Sequence, residues 1–280
     1  MSITVENFKM GADPELFVSR TTPGYPWISA AGIFPGDKKN PHRIDEGAVQ
    51  VDGMAVEYNI DPAVTAEEFA ERNFRVLRAI SKMAPDFRLV TRPSVTFSEA
   101  AWNDAPEEAK IMGCDPDFNA YTGMVNVAPK DKDRFRAAGG HIHIGWTSGI
   151  DTNDAGHIMA CRTLIKELDI FLGLPMAWMD NSPAARARKQ LYGKAGSYRV
   201  KPYGVEYRTL SNSWVGNEEI MKWIFENAKL AFSNLLQGKS LATSKGIDPV
   251  PYINGSVPEE SYGVIPYLCK EYGVPLPEVK

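Results

Sequence analysis

Gly139-Gly140-His141-Ile142-His143-Ile144-Gly145 decides how this chain is read. Polar and apolar residues alternate strictly, which is the period of a β-strand and puts both imidazoles on one face and both isoleucines on the other. Glycines on both sides imply close approach of the backbone to something. Three further stretches share this grammar. Asp13 and Glu15 lie in GADPELFV, Glu57 and Asn59 in AVEYNID, and Glu206 and Arg208 in GVEYRTL. In each, two polar residues at i and i+2 share a face. The flanking Leu16, Val18, Val56, Tyr58, Val205 and Tyr207 suit the opposite, core-packed face.

One such pair is commonly the solvated side of an antiparallel sheet; four pairs with the same pattern point to a site. Carboxylates gathered on one buried face need cations, because an ionised group away from water must be paired or metal-bound. A mainly oxygen ligand set with one or two imidazoles suits Mg²⁺ or Mn²⁺ better than zinc. Lys194, Arg199 and Arg208, close together in sequence, offer cations to phosphate or carboxylate groups. Asp115 and Asp117 either continue the acidic site or form a turn on Asp-Pro. His42 and His157 have no polar company and read as surface or helix residues. Trp146, Trp214 and Trp223 read as core.

The rest of the chain is expected to be α+β. Its 280 residues are 44% hydrophobic and 24% charged, ordinary for a globular protein. Strands are expected around Glu15–Val18, on both sides of Asp45–Gly47, over Phe87–Phe97, His141–Trp146, Tyr198–Lys201 and Val205–Leu210. Thr22 to Pro41 reads as a Pro/Gly-rich loop. A helix begins at Thr65, whose spacing to Glu68 is that of a capping box, and ends at Pro85. Further helices are expected near Ser98–Met112, over Asn153–Leu172, over Asn217–Leu236 and near Tyr262–Tyr272. No stretch reads as a linker, so residues 1–280 are expected to form a single catalytic domain, with 240–280 a C-terminal wrap.

Net charge is −4 and the pI is near 5.7, which supplies no general attraction to nucleic acid or anionic membrane. The three cysteines, Cys114, Cys161 and Cys269, are too few and too scattered for a disulfide framework or structural zinc. The N-terminus does not read as a signal peptide, and the apolar run near Ile170–Met179 is too short to span a bilayer. The expected location is cytoplasmic, in the host cytoplasm if the chain is phage-encoded.

The order Gly-x-Asp-x-Glu, Glu-x-Asn, Gly-x-His-x-His and Glu-x-Arg resembles the glutamine synthetase and glutamate–cysteine ligase superfamily. More closely, GADPELF, DGMAVEYN, GGHIHIG and KPYGVEYRTLSNSW resemble the phage-associated COOH–NH₂ ligase type 2 (amidoligase) family, from about Gly11 to Trp214. The resemblance implies a curved, mainly antiparallel sheet with helices on its convex face. It implies ATP and divalent metals on the concave face, where ATP phosphorylates a substrate carboxylate and an amine displaces the acyl phosphate. By the same resemblance Asp13, Glu15, Glu57, His141 and Glu206 are metal ligands. His143 and Lys194 would serve the nucleotide, Arg208 the transferring phosphoryl group, and Arg199 the phosphates or acidic substrate. The first motif departs from relatives in carrying Asp13 where Glu is common. Partners would be small-molecule or peptide carboxylates and amines. A metal-dependent hydrolase, a guanidino-type phosphotransferase and a non-catalytic phage-associated binding module are the alternatives.

Overall fold

The structure is a computed structural model that describes residues 4–21, 27–111, 117–127, 134–243 and 246–278. Cys114 and Asp115 lie outside the described residues. Strands β1 (Lys9–Arg20), β2 (His42–Ile44), β3 (Gly47–Asp52), β4 (Ala55–Ile60) and β5 (Phe87–Val90) come from the first third. With β7 (Phe118–Asn119), β9 (Gly140–Gly145), β10 (Ser197–Lys201) and β11 (Gly204–Tyr207) they form a nine-stranded sheet. Its order is β2-β3-β4-β1-β9-β11-β10-β7, with β5 pairing β1, and every pairing is antiparallel. A separate pair joins β6 (Ser94–Thr96) to β8 (Phe135–Ala137). The architecture is thus mixed α and β around a large antiparallel sheet.

The two faces differ as the alternation demands. Leu16, Val56, Tyr58, Ile142, Ile144, Val205 and Tyr207 are fully buried in one apolar cluster. They share it with Phe69, Val76 and Ile80 of α1 (Ala66–Met83) and with Cys161 and Leu164 of α4 (Ala155–Leu168). Ile224 and Phe225 of α7 (Glu218–Leu236) complete that layer. Phe69 stacks on Trp214 at 5.9 Å between ring centres and meets Phe225 at 6.0 Å. Each such large side chain contributes roughly 1.5–3 kcal/mol by leaving water. Trp146 and Trp214 are core, while Trp223 is half-buried with its indole N–H on the Pro275 carbonyl at 3.1 Å.

The opposite face carries the charges. At one end of it Phe17 packs with Phe97, Val95 and Ala138 in a second apolar cluster, together with the short helices α2 (Glu99–Asn103) and α3 (Glu107–Lys110). This cluster walls the charged face without covering it.

Several boundaries differ from expectation. The strand expected over Phe87–Phe97 is two strands, divided at Pro93, which leaves β5 on β1 and β6 on β8. At the start of α1 the Thr65 hydroxyl accepts the Glu68 N–H at 3.1 Å, but the Glu68 carboxylate takes the N–H of Val64 rather than that of Thr65. The helix expected to run to Leu172 ends at Leu168. It continues as a π-helical turn, Asp169–Gly173, before α5 (Leu174–Met179) and α6 (Pro183–Arg188). The wider turn places the Asp169 carboxylate inside, on Gly196 N at 2.6 Å and Tyr207 Oη at 2.8 Å. Past residue 240, the buried Glu167 carboxylate holds the N–H groups of Leu241 and Ala242, α8 (Val250–Ile253) buries Ile253, and α9 (Ile265–Glu271) buries Ile265 and Cys269.

Candidate active site

The register of the sheet assembles the site. Gln50, Glu57 and Glu15 lie opposite one another across β3, β4 and β1. Asp13 stands opposite His141 across β1 and β9. His143, Glu206 and Arg199 form a third row across β9, β11 and β10. Every expected strand pair therefore projects from the same face. Two further pairs with the same spacing, Gln50/Asp52 on β3 and Arg199/Lys201 on β10, join them. The period-two rule that found the first four pairs also applies to these.

Two acidic groups result. Glu15, Asp52 and Glu57 bring one carboxylate oxygen each within 4.8 Å of the others, and so do Asp13, Glu206 and a ring nitrogen of His143. In the first group Lys38 Nζ lies 3.0 Å from Asp52, and Glu15 accepts the Gly139 N–H at 2.7 Å. Burial, and then the charges of Asp13, Asp52 and Glu15, push the Glu57 carboxyl well above its ordinary range. Three carboxylates this close call for a cation.

In the second group His143 donates or accepts at both ends: Nε2 lies 2.9 Å from Asp13 Oδ2 and Nδ1 lies 2.5 Å from the Tyr203 hydroxyl. His141 sits beside it, Nδ1 being 3.6 Å from Asp13 Oδ1 and 3.8 Å from Glu206 Oε1. Burial alone would raise the Asp13 carboxyl, but the His143 charge, its hydrogen bond and the nearby His141 outweigh it and hold it far below the ordinary range. Asp13 Oδ1 is nonetheless buried without a hydrogen-bond partner among the described residues. That orphaned oxygen, between two imidazoles and Glu206, fits a second divalent cation. In this arrangement His143 rather than His141 joins the group, whereas the family resemblance implies His141 as the ligand.

Basic residues frame the acids. Glu206, 1% exposed, receives Lys201 Nζ at 2.8 Å, Arg199 Nη1 at 3.5 Å and Arg208 Nη1 in a close ion pair. Burial raises its carboxyl and Asp13 adds to that, yet Arg208 and the histidines prevail and bring it down to about 2. Arg208 Nε also meets Asp117 at 3.2 Å, so Asp117 does extend the acidic site. Lys194 does not reach it. Its side chain is exposed, and only its carbonyl faces inward, accepting the Thr209 hydroxyl at 3.1 Å.

Two openings share Asp13, Gln50 and Glu57. One, of about 270 Å³, is lined by Glu15 and Asp52 and by the cations Lys38, Arg136, Arg188, Arg199 and Arg208. The other, of about 1110 Å³, is lined by His143 and Asn59 and has partly apolar walls including Ile60, Trp146, Ile150 and Tyr203. The glycines beside His141 serve the protein itself. A Cβ on Gly140 would fall 2.1 Å from the Ser211 carbonyl oxygen and 2.4 Å from Trp214 Nε1.

Fold and site together define a mixed α/β protein whose antiparallel sheet presents two cation-ready acidic groups beside a cluster of arginines. The model of the family described as Phage phiEco32-like COOH.NH2 ligase-type 2 matches residues 127–249, which include His141, His143, Arg199, Glu206 and Arg208. This match supports the family resemblance carried by the motifs, and the family's description is that of a carboxylate–amine ligase. No curated protein matches the chain. Among the described residues no helix is long and apolar enough to cross a membrane.

Proposed function

We propose that the chain is an ATP-dependent carboxylate–amine ligase with a glutamine synthetase-like catalytic sheet. The observation that carries this reading is the convergence of two separate three-ligand acidic groups and Arg208 on one sheet face. Glu15, Asp52 and Glu57 would hold one Mg²⁺ or Mn²⁺, and Asp13, Glu206 and a histidine a second. Bound there, the cations would supply charge neutralisation for phosphate oxygens.

The remaining work belongs to the chain's own residues. The larger opening, beside His143 and Tyr203, has room for a nucleotide, and its apolar walls suit a base. The smaller, arginine-lined opening suits the carboxylate substrate. Arg208, held by Glu206 and Asp117, is aimed where charge develops on a phosphoryl group, and Arg199 flanks it. A substrate carboxylate oxygen bonds to the terminal phosphorus as the bond to ADP breaks. An amine nitrogen then bonds to the acyl carbon as inorganic phosphate leaves, and the nitrogen gives up a proton to water or to the departing phosphate, leaving the amide. No protein nucleophile is required. The work lies in alignment and charge.

A screen for ADP release, pairing candidate carboxylates with candidate amines in the presence of Mg²⁺ or Mn²⁺, tests the proposal. ADP formation that needs both partners supports it. Turnover of an amide or ester without ATP would select a metal-dependent hydrolase on the same residues.

A further inference from the structure

Arg188 lines the smaller opening, yet its guanidinium is turned to the protein's own backbone. Arg188 ends α6 and is 1% exposed, yet among the described residues it has no ion pair. Its partners are backbone carbonyls. Nε donates to Ala138 at 2.8 Å, Nη1 to Thr209 at 3.0 Å, and Nη2 to Leu210 at 2.9 Å and Arg208 at 3.4 Å. Burial lowers its guanidinium to about 10, which leaves it charged at neutral pH. A buried charge whose hydrogen bonds all go to neutral groups, favoured only at longer range by the Glu15 carboxylate, is an expensive structural element, so its geometry asks for a purpose.

The carbonyls it gathers come from two places. Ala138 leads into β9 just before His141. Residues 208–210 leave β11 at the point where the expected strand stops short. Three successive carbonyls, those of Arg208, Thr209 and Leu210, converge on one planar fork. On the other side Arg208 N donates to Ser197 O at 3.0 Å, and Gly140 N donates to Leu210 O at 3.0 Å. Lys189 Nζ also donates to Thr209 O at 3.1 Å, so the backbone that carries Arg208 is held from several directions, and among the described residues Arg188 alone reaches all three carbonyls. The loop after α6 is shaped around this guanidinium. Gly193, at φ 71°, has no room for a side chain, since a Cβ there would lie 1.8 Å from Arg188 Nη1.

We propose that Arg188 is a positioning residue: by tying Ala138 to the carbonyls of Arg208, Thr209 and Leu210, it sets the Arg208 guanidinium in register with His141 across the site. The catalytic consequence rests on the ligase reading of Arg208; the structural consequence does not.

The test compares Arg188→Lys and Arg188→Ala with Arg186→Lys as control, since Arg186, on the same helix, pairs outward with Glu259 at 3.3 Å. Circular dichroism first establishes which variants fold. In ADP release with the substrate pair found by screening, Arg188→Lys is expected to lose kcat about 100-fold while KM for ATP stays within about threefold. Added guanidinium ion should restore at least about tenfold in Arg188→Ala, which a merely structural defect would not allow. Independently, a crystal structure of Arg188→Lys should show Arg208 detached from Glu206 or Asp117. Arg208 unmoved in that structure, or kcat unchanged in the lysine variant, overturns the proposal. If the wild-type chain releases no ADP with any pair, the ligase reading fails, while the crystal structure still decides the role of Arg188.

Discussion

Glu15 and Glu57 stand directly opposite one another on β1 and β4, two carboxylates in cross-strand register with Asp52 as a third. Like charges so placed destabilise a sheet unless something neutralises them. Without divalent cations, Glu57→Gln should therefore raise Tm by about 2–4 °C, since it removes the carboxylate that burial and its neighbours oppose. Wild type should gain Tm on addition of Mn²⁺, and Glu57→Gln should gain much less. Differential scanning fluorimetry with and without the metal checks both arms.

Arg208 makes two directional contacts, one to Asp117 and one to Glu206, which a single ammonium cannot reproduce. Arg208→Lys should lower kcat for ADP release by roughly 100- to 1000-fold with the fold intact. Asp117→Asn, which leaves the Glu206 contact, should lose less. Steady-state kinetics on the two variants would show the ranking.

Gly140 has no space for a methyl group between the Ser211 carbonyl and the Trp214 indole, whose N–H donates to the Gly140 carbonyl at 3.0 Å. Gly140→Ala should cost about 1–3 kcal/mol of stability. Urea unfolding followed by tryptophan fluorescence measures it.

Behind the sheet, burial raises the Asp169 carboxyl to about 6, against the opposing hydrogen bonds from Tyr207 and Gly196. A carboxyl raised in the folded state takes up its proton there first. Its contribution therefore favours folding as pH falls from above 6 toward 3.8, and is lost as pH rises through that window. The stability of wild type relative to Asp169→Asn should shift in favour of wild type by up to about 3 kcal/mol between pH 7 and pH 4. Chemical denaturation of both proteins across that range gives the sign directly.

Much of this site was legible because strand periodicity is a local property. Asp13, Glu15, Glu57, His141, His143, Glu206 and Arg208 share a face for the same reason that Leu16, Val56 and Ile142 share the other. The same period places Asp52 and Lys201 on the charged face, but nothing in their own strands marks them as part of a site. Neither belongs to a recurring motif, and only cross-strand register brings them to Glu57 and Glu206. Lys194 shows the converse: closeness in sequence to Arg199 does not carry a side chain around a turn. Arg188 could not be singled out from ARARKQLYGK, because its partners are carbonyls some 20 and 50 residues away. The π-helical turn at Asp169 was hidden likewise, since its cause is a buried contact with Tyr207.

Nucleotide binding through divalent cations on the charged face is what the proposed function requires first. Isothermal titration calorimetry with a non-hydrolysable ATP analogue and Mn²⁺ measures this most directly. Binding should be saturable, require the metal and be abolished in Glu15→Ala and Glu57→Ala, with both variants folded by circular dichroism. Binding unchanged in Glu57→Ala, or no binding by the wild-type chain with Mn²⁺ or Mg²⁺, would contradict the proposed function.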